Sequence, residues 1–376
     1  MNTYFSEEQL ALKERVAKFA AEVLAPEVGR IDKEGFDMEH YRKVMASGLV
    51  AVAVPKADGG EGMGTVGRCI VLEEMSKVDP STALSFLVGG MGMYATSASD
   101  ELKEKYYYPW VRGEILPAFA LTEPGAGSDV SSVKTTAVKD GDEYVLNGVK
   151  TLIVNGKSAD VLNVYAITDT TVKTSKGMSV FAVPTDLPGI SVRVQDMMTL
   201  RGSEVAEITF TDCRVPAANL VGELGKGFAY AMGGIAGGRI NAAACSIGIA
   251  DSAVADAVRY ANTRVQFGKP ISANQAIAHQ IAKMECKLES ARALLYKAAD
   301  MIDHGDKDAG VFASIAKREA TDAAQYCADN NLMIHGGIGC TTECIAERIY
   351  RDAHAARIYD GTSDILDLIV ARYMLG

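Results

Sequence analysis

The sequence lacks the excess of positive charge that a nucleic-acid partner would require. Lys and Arg number 38 and Asp and Glu number 48, which gives a formal net charge of −10. Because nucleic-acid binding depends on a concentrated basic surface, this balance argues against such a partner. Long apolar runs are also missing, since none reaches the roughly 20 residues that a membrane-spanning helix needs. We therefore expect no nucleic-acid partner and no membrane span.

The seven cysteines are odd in number and show no repeated metal-ligand spacing. Cys340 and Cys344 are four residues apart, but no further ligands of suitable spacing accompany them. This pattern indicates that the cysteines are reduced thiols, which are typical of cytosolic proteins. The N-terminal stretch resembles an acidic helix and has neither the basic and apolar regions of a signal peptide nor the Arg-rich character of a transit peptide. The sequence predicts a cytoplasmic location and no metal site.

Hydrophobicity and turn residues divide the chain into three regions. Hydrophobic residues make up 48% and charged residues 23%, as in an ordinary folded protein. Helical spacing of apolar residues predicts a helical domain over 1–114 and a helical bundle over 227–376. Between them, 115–226 contains short apolar runs separated by Gly, Asp, Asn and Pro, which is typical of an antiparallel β domain, such as a small barrel. The predicted class is mainly α with a central β domain.

Two segments place glycines beside hydroxyl and carboxyl groups. Residues 119–129, FALTEPGAGSD, would let backbone N–H groups approach an anionic or carbonyl-rich ligand closely. Residues 357–365, RIYDGTSDI, place Asp360 before a glycine and a Thr-Ser pair that can begin a helix. Taken alone, the first segment is more simply a β-turn and Asp360 more simply a helix cap.

Two further segments lie between these. Residues 152–156, LIVNG, predict an apolar strand that ends in an Asn-Gly turn. The glycine-rich triplet 237–239 is followed 25 residues later by Arg264, in the segment RVQFGKP. An arginine there could bind a pyrophosphate through charge-assisted hydrogen bonds, although surface arginines are common on helices.

Together, the four segments resemble those of the acyl-CoA dehydrogenase family, in order and at similar spacing, over essentially the whole chain. The stretches 122–129 and 359–363 carry most of the likeness. The resemblance implies an N-terminal helical domain, a middle β-barrel and a C-terminal four-helix bundle, usually assembled as a homotetramer. It also implies an FAD-dependent oxidation of a coenzyme A thioester, with electron-transferring flavoprotein as the acceptor.

The resemblance assigns roles to individual residues. Asp360 would be the base that removes the α-proton, while flavin N5 takes the β-hydride, and burial beside an acyl chain should raise the pKa of Asp360. The acyl-CoA would contact Ser128, Gly238, Arg239 and Gly361. FAD would be held, partly across a subunit boundary, by Phe119, Leu121, Thr122, Gly127, Ser128, Leu152, Val154, Arg264, Phe267, Gln275, Met333, Gly336, Gly337, Thr362 and Asp364.

The sequence departs from the family pattern at the base. Most members have Glu where this chain has Asp360, and the shorter side chain withdraws the carboxylate by about 1.5 Å. The alternative base position of some members is Gly238 here, so Asp360 is the only base that the resemblance supplies. A substrate whose α-carbon is branched or part of a ring would explain the shorter base. We therefore predict an alicyclic substrate, with cyclohexane-1-carboxyl-CoA oxidised to cyclohex-1-ene-1-carboxyl-CoA.

Smaller departures concern the flavin, and other functions stay open. Leu152, Val154 and Met333 stand where an aromatic residue, Thr and Gln are usual, so the flavin potential should be altered.

A short- or branched-chain acyl-CoA dehydrogenase is one alternative to the predicted function. A nitroalkane oxidase, a relative that also uses an Asp base, is a second, and a non-catalytic DNA-binding relative is a third.

Overall fold

The N-terminal region is helical, as predicted. The computed structural model describes residues 5–376, apart from the side chain of Leu87. Ser6 and Gln9 form the capping box that begins the first helix. The helices of this region are α1 Glu7–Phe19, α2 Val28–Glu34, α3 Met38–Met45, α4 Gly64–Ser76, α5 Pro80–Leu87, α6 Gly92–Ser97, α7 Asp100–Leu102 and α8 Tyr108–Val111.

The middle region is a seven-stranded sheet with one short helix. Its elements are β1 Pro117–Ala120, β2 Thr136–Asp140, β3 Glu143–Val154, β4 Val161–Ile167, α9 Thr174–Gly177, β5 Met178–Pro184, β6 Ile190–Val194 and β7 Val205–Pro216. The strands follow the order β1-β4-β2-β3-β7-β6, and β5 also pairs with β4. Most pairings are antiparallel, as expected, but β1 and β2 each pair with β4 in parallel.

Strands β4 and β5 are largely apolar, apart from Asn163 and Ser179, and both of their faces are covered. Every residue of β4 is buried, which is the pattern of a strand enclosed on both sides. Val161 and Tyr165 face the helices and belong to the larger core, whereas Leu162 and Val164 point into a second core inside the sheet domain. The sheet is thereby fixed against the helical part of the molecule.

The C-terminal region returns to long helices. Its elements are α10 Gly227–Thr263, β8 Val265–Gln266, β9 Lys269–Pro270, α11 Gln275–Asp303, α12 Ala309–His335, α13 Ile345–Ala355 and α14 Ser363–Leu375. Helices α10, α11 and α12 pack on one another, and α4 of the N-terminal region packs on α10 and α11. The order helical, β, helical confirms the predicted fold class. The domain boundaries at 114/115 and 226/227 stay predictions.

In the described part of the chain, no helix combines the length and the apolar character that crossing a bilayer would require.

Candidate active site

Asp360 lies in the turn between α13 and α14 and does not cap a helix. The N-cap of α14 is Thr362, whose side chain accepts a hydrogen bond from the backbone N–H of Ile365. The simpler explanation of Asp360 as a cap is therefore wrong. Asp360 has a φ of +53° and the following Gly361 one of +102°. A non-glycine residue in this left-handed region is strained by about 1–3 kcal/mol, and such strain is concentrated at functional sites.

The Asp360 carboxylate faces Gly238 on α10. A Cβ atom built on Gly238 would lie 2.7 Å from Cγ and Oδ2 of Asp360. The carboxylate accepts no hydrogen bond from any donor within residues 5–376, and its side chain is half-buried. Burial raises the pKa of Asp360, although the positive charges of Lys317 and Arg239 oppose the rise. A carboxylate that is free of hydrogen bonds and has a raised pKa is suited to accept a proton.

Arg239 follows Gly238 on α10 and supplies a positive charge beside the base. Its Nη1 donates to Ser314 Oγ at 3.3 Å, while its buried Nε has no partner among the described residues. Burial lowers the pKa of Arg239 and the charge of Asp360 raises it. Gly361 completes this cluster, because a Cβ on it would lie 3.9 Å from Nε of Arg239. Three residues predicted to bind substrate, Gly238, Arg239 and Gly361, thus surround the predicted base.

The glycine-rich loop after β1 is held by a buried ion pair that the sequence did not reveal. Lys150 on β3 is fully buried, and its Nζ donates to Leu121 O at 2.9 Å and to Glu123 Oε1 at 2.8 Å. Glu123 also accepts the backbone N–H groups of Lys134 and Thr135. Burial lowers the pKa of Lys150 to about 8. For Glu123, burial acts to raise the pKa, but the charge of Lys150 and these hydrogen bonds lower it overall.

A β-bulge presents Leu152 beside that loop. The register of β3 against β7 shifts between Lys150 and Ile153, and Leu152 takes a φ of +56° with 53% of its surface exposed. Gln195 Oε1 accepts the backbone N–H of Leu152 at 3.0 Å. One residue earlier, the Thr151 N–H donates to Thr122 O at 2.9 Å. The predicted flavin residues Thr122 and Leu152 therefore lie close together, because Thr122 bonds to Thr151, the neighbour of Leu152 on β3. Strand β3 ends at Val154, where the predicted Asn-Gly turn begins.

Phe119 and Ser128, predicted for the same ligand, differ in their surroundings. The Phe119 ring lies 4.9 Å from that of Tyr165 and also packs against Gly234, so it is partly enclosed where β1 meets α10. Ser128 is exposed, and a Cβ on the neighbouring Gly125 or Gly127 would meet nothing within 4 Å. The open side of the loop is therefore its glycine-rich end.

Six further predicted FAD residues lie at the far ends of the long helices. Arg264, which ends α10, is about 37 Å from Arg239 along the helix at 1.5 Å per residue. Phe267, in the β8–β9 hairpin, has a φ of +51° and is 99% exposed. Gln275 begins α11, and Met333, Gly336 and Gly337 end α12, and all four are exposed. This group does not share a pocket with Asp360 in one chain.

These residues fit a large planar group that carries phosphates. Leu152, Phe267 and Met333 offer exposed apolar surface, and the first two are held in strained backbone conformations. Such surface is suited to covering by ring systems. Arg264 and the open glycine loop offer groups for a pyrophosphate. The side-chain hydroxyl of Ser363, beside the predicted Thr362 and Asp364, is buried and has no partner within the described residues.

One other cluster contains potential metal ligands. Asp256, His335 and Cys344 bring one ligand atom each to within 4.8 Å of one another. A structural zinc site normally uses four protein ligands. Asp256 already accepts hydrogen bonds from Asn331 and Arg259. The cluster is explained without a metal, as a buried polar contact between α10 and the end of α12.

Comparison with known proteins covers the chain from end to end. Three family models match it in order: the N-terminal domain of acyl-CoA dehydrogenase over 6–114, the middle domain over 118–213 and the C-terminal domain over 225–375. An acryloyl-CoA reductase (NADH) from Anaerotignum propionicum is 41% identical, over 100% of this chain and 96% of the relative. A cyclohex-1-ene-1-carbonyl-CoA dehydrogenase from Syntrophus aciditrophicus is 40% identical, over 98% and 90%.

Solved structures agree with these matches. Butyryl-CoA dehydrogenase from Megasphaera elsdenii superposes with a TM-score of 0.96 at 35% identity, with 100% of both chains covered. A chain from a structure of the electron transferring flavoprotein of Acidaminococcus fermentans gives a TM-score of 0.96 at 38% identity, again with full coverage. The family models and the solved structures match this protein over nearly its whole length. The protein belongs to the acyl-CoA dehydrogenase family.

Proposed function

We propose that this protein oxidises the acyl group of a coenzyme A thioester at its α- and β-carbons, and that Asp360 removes the α-proton. The observation that carries the proposal is the state of the Asp360 carboxylate, which faces Gly238, accepts no hydrogen bond from the described residues and has a raised pKa. A general base needs an oxygen that is not already occupied by a hydrogen bond, and a pKa that is not far below the operating pH. Asp360 meets both conditions.

FAD is the proposed cofactor. The loop that contains Thr122, Gly127 and Ser128 would hold it together with Leu152 and Val154, and Thr362 and Asp364 would complete that side. Arg264, Phe267, Gln275, Met333, Gly336 and Gly337 would hold FAD from a second copy of the chain, because they lie at the opposite ends of the long helices. When bound, FAD supplies the acceptor for the β-hydride at its N5 atom.

The chain itself can stabilise the enolate that forms as the α-proton leaves. Within residues 5–376, the backbone N–H of Asp360 makes no hydrogen bond. We infer that it donates to the thioester carbonyl, where negative charge develops in the transition state. Gly238, Arg239, Gly361 and Ser128 would contact the acyl-CoA. The same residue would then both remove the proton and stabilise the charge that remains.

The proposed substrate is alicyclic, with cyclohexane-1-carboxyl-CoA converted to cyclohex-1-ene-1-carboxyl-CoA. Asp360 is one methylene shorter than Glu, so its carboxylate falls short by about 1.5 Å, and a loss of that size is costly where reacting atoms must be near contact. A substrate whose α-carbon is part of a ring would bring that carbon nearer to the shorter base, or would need the room that the shorter base leaves. A 40% identical relative is a cyclohex-1-ene-1-carbonyl-CoA dehydrogenase, which supports a six-membered ring.

A second candidate is the same chemistry run in reverse. The 41% identical relative from Anaerotignum propionicum is an acryloyl-CoA reductase (NADH). In that direction, protonated Asp360 would deliver a proton to the α-carbon of an unsaturated thioester. The raised pKa of Asp360 suits an acid as well as a base.

Two macromolecular contacts are part of the proposal. We infer that a second copy of the chain completes the cofactor site, because Arg264 lies about 37 Å along α10 from Arg239 beside the proposed base, and that the assembly is the homotetramer that the family resemblance implies. We also infer that electron-transferring flavoprotein exchanges electrons with this enzyme. The likeness to a chain from an electron transferring flavoprotein structure supports that choice.

The decisive experiment is a substrate panel assayed in both directions. Purified enzyme would be offered cyclohexane-1-carboxyl-CoA, cyclohex-1-ene-1-carboxyl-CoA, isobutyryl-CoA and butyryl-CoA with an artificial electron acceptor. Acryloyl-CoA with reduced electron-transferring flavoprotein tests the reductive direction. A strong preference for butyryl-CoA would overturn the alicyclic substrate. Oxidation of nitroalkanes with formation of peroxide, without turnover of any thioester, would overturn the acyl-CoA proposal altogether.

A further inference from the structure

Lys317 is a buried lysine that contacts the turn carrying Asp360. It lies on α12 with 0% of its surface exposed. Its Nζ donates to the backbone carbonyls of Tyr359 and Gly361, the latter at 2.6 Å. These two residues are the immediate neighbours of Asp360 on either side. One ammonium group therefore binds the backbone before and after the proposed base.

The hydrogen bonds act on a backbone that is otherwise unfavourable. Asp360 and Gly361 both have positive φ, a backbone conformation that is unfavourable for a non-glycine residue such as Asp360. Such a turn persists only where its surroundings stabilise it. Two charge-assisted hydrogen bonds, which are stronger than neutral ones, hold the carbonyls on both sides of Asp360. Lys317 is the side chain that supplies them.

The charge of Lys317 also reaches the carboxylate. Among the described residues, Lys317 Nζ donates to backbone carbonyls and to no carboxylate, and Asp360 acts on it through its charge alone. The charged and titratable groups that face it are Asp360, Arg239 on α10 and the ring of Tyr359, whose centroid is 5.6 Å away. Burial lowers the pKa of Lys317 to about 8, and Asp360 opposes that shift. In return, Lys317 is the larger of two positive influences that lower the pKa of Asp360.

We propose that Lys317 is the positioning residue of the base: its ammonium group fixes the Tyr359–Gly361 turn so that the Asp360 carboxylate faces the substrate, and favours the ionised carboxylate. This inference rests on the proposed role of Asp360 and adds to it a residue that does not touch the substrate. It also explains why a lysine occupies a core position of α12, between Ala313, Ala316, Ala320 and Ala324, which are all buried.

The test compares two substitutions at Lys317 with a matched control. Lys317→Met removes the donor and the charge but retains most of the volume, whereas Lys317→Arg retains the charge with a different geometry. Thr321→Val is the control, because Thr321 is buried one turn further along α12 and bonds only within the helix, to Arg318 O. Each variant is assayed as FAD-loaded enzyme for kcat, KM for acyl-CoA, FAD content and the pH profile of kcat.

For Lys317→Met we expect kcat to fall at least about tenfold, because a displaced base reacts slowly. We expect the acid limb of its pH profile to move up by about 1 pH unit, because the loss of a nearby positive charge raises the pKa of a carboxyl. Lys317→Arg should keep the acid limb in place while kcat falls. KM and FAD content should change little, and Thr321→Val should match the wild type in kcat and pH profile.

Two results would overturn the inference. One is a Lys317→Met enzyme with the kcat and acid limb of the wild type. The other is a loss that consists only of lost FAD and lowered thermal stability, with the limb unmoved, which would show a purely structural lysine. If Lys317→Met does not fold, the limb and kcat of Lys317→Arg decide. Full activity of Asp360→Asn would instead refute the role of Asp360 itself, which separates the two failures.

Discussion

The carboxylate of Asp360 occupies the space that a side chain at Gly238 would fill. A Cβ on Gly238 would lie 2.7 Å from both Cγ and Oδ2 of Asp360. The proposed base and the alternative base position predicted from the sequence thus face each other between α10 and the α13–α14 turn. A side chain at position 238 is therefore incompatible with the observed position of the Asp360 carboxylate.

Gly238→Ala should therefore impair catalysis strongly. The added methyl group must displace the carboxylate, and a displacement of about 1 Å can lower the rate by 10²-fold. We expect kcat to fall by about that factor with a smaller change in KM. Gly233→Ala, also on α10, is the matched control because its new Cβ would meet nothing within 4 Å. Equal activity of the two variants would contradict the close packing.

Two substitutions of Asp360 distinguish the role of its negative charge from the role of its side-chain length. Asp360→Asn removes the proposed base and should lower kcat by about 10²- to 10⁴-fold, while the binding of FAD and acyl-CoA should change little. Asp360→Glu extends the carboxylate by about 1.5 Å. We expect it to lower turnover of the cyclic thioester and raise that of butyryl-CoA, measured as the ratio of the two kcat/KM values. A ratio equal to that of the wild type would contradict the link between base length and ring substrate.

The raised pKa of Asp360 predicts how stability depends on pH. The folded state holds this proton more tightly than the unfolded state, so it binds more protons between the unfolded and the folded pKa. The stability that this carboxyl contributes is complete below the unfolded pKa and is lost as the pH rises through the folded pKa. Asp360→Asn avoids that loss. Its Tm at pH 8, with equal FAD content, should exceed that of the wild type, and the difference should shrink toward pH 5.

The sequence predicted the three regions of the fold, but not the contacts that hold the turn of Asp360. Helical and alternating patterns gave the three regions, because burial imposes those periods on any chain. The cap at Thr362 was not predicted, since Asp360 and Thr362 are both good capping types and only the backbone decides between them. Lys317 was missed, although a lysine within the apolar stripe of α12 was visible. What it binds, the carbonyls beside Asp360, is 42 and 44 residues away in the chain, and no local pattern reveals such contacts.

The buried pair of Lys150 and Glu123 offers the last test, on the glycine-rich loop. Lys150→Met leaves Glu123 buried beside backbone N–H groups but without its cation. Loss of one member of a buried ion pair typically costs about 3–5 kcal/mol. We expect a lower midpoint in urea unfolding and weaker retention of FAD on gel filtration, because Leu121 and Glu123 fix the start of the loop.

The double variant Lys150→Met/Glu123→Gln distinguishes the cause. The N–H groups of Lys134 and Thr135 donate to different oxygens of Glu123, so a neutral Gln, which has one side-chain oxygen, can accept only one of them. If the cost of Lys150→Met is an unpaired buried charge, the double variant should be more stable than Lys150→Met alone and should recover part of the FAD. If the cost is only the lost hydrogen bond to Leu121 O, the second substitution will bring no recovery, because that carbonyl stays without its donor.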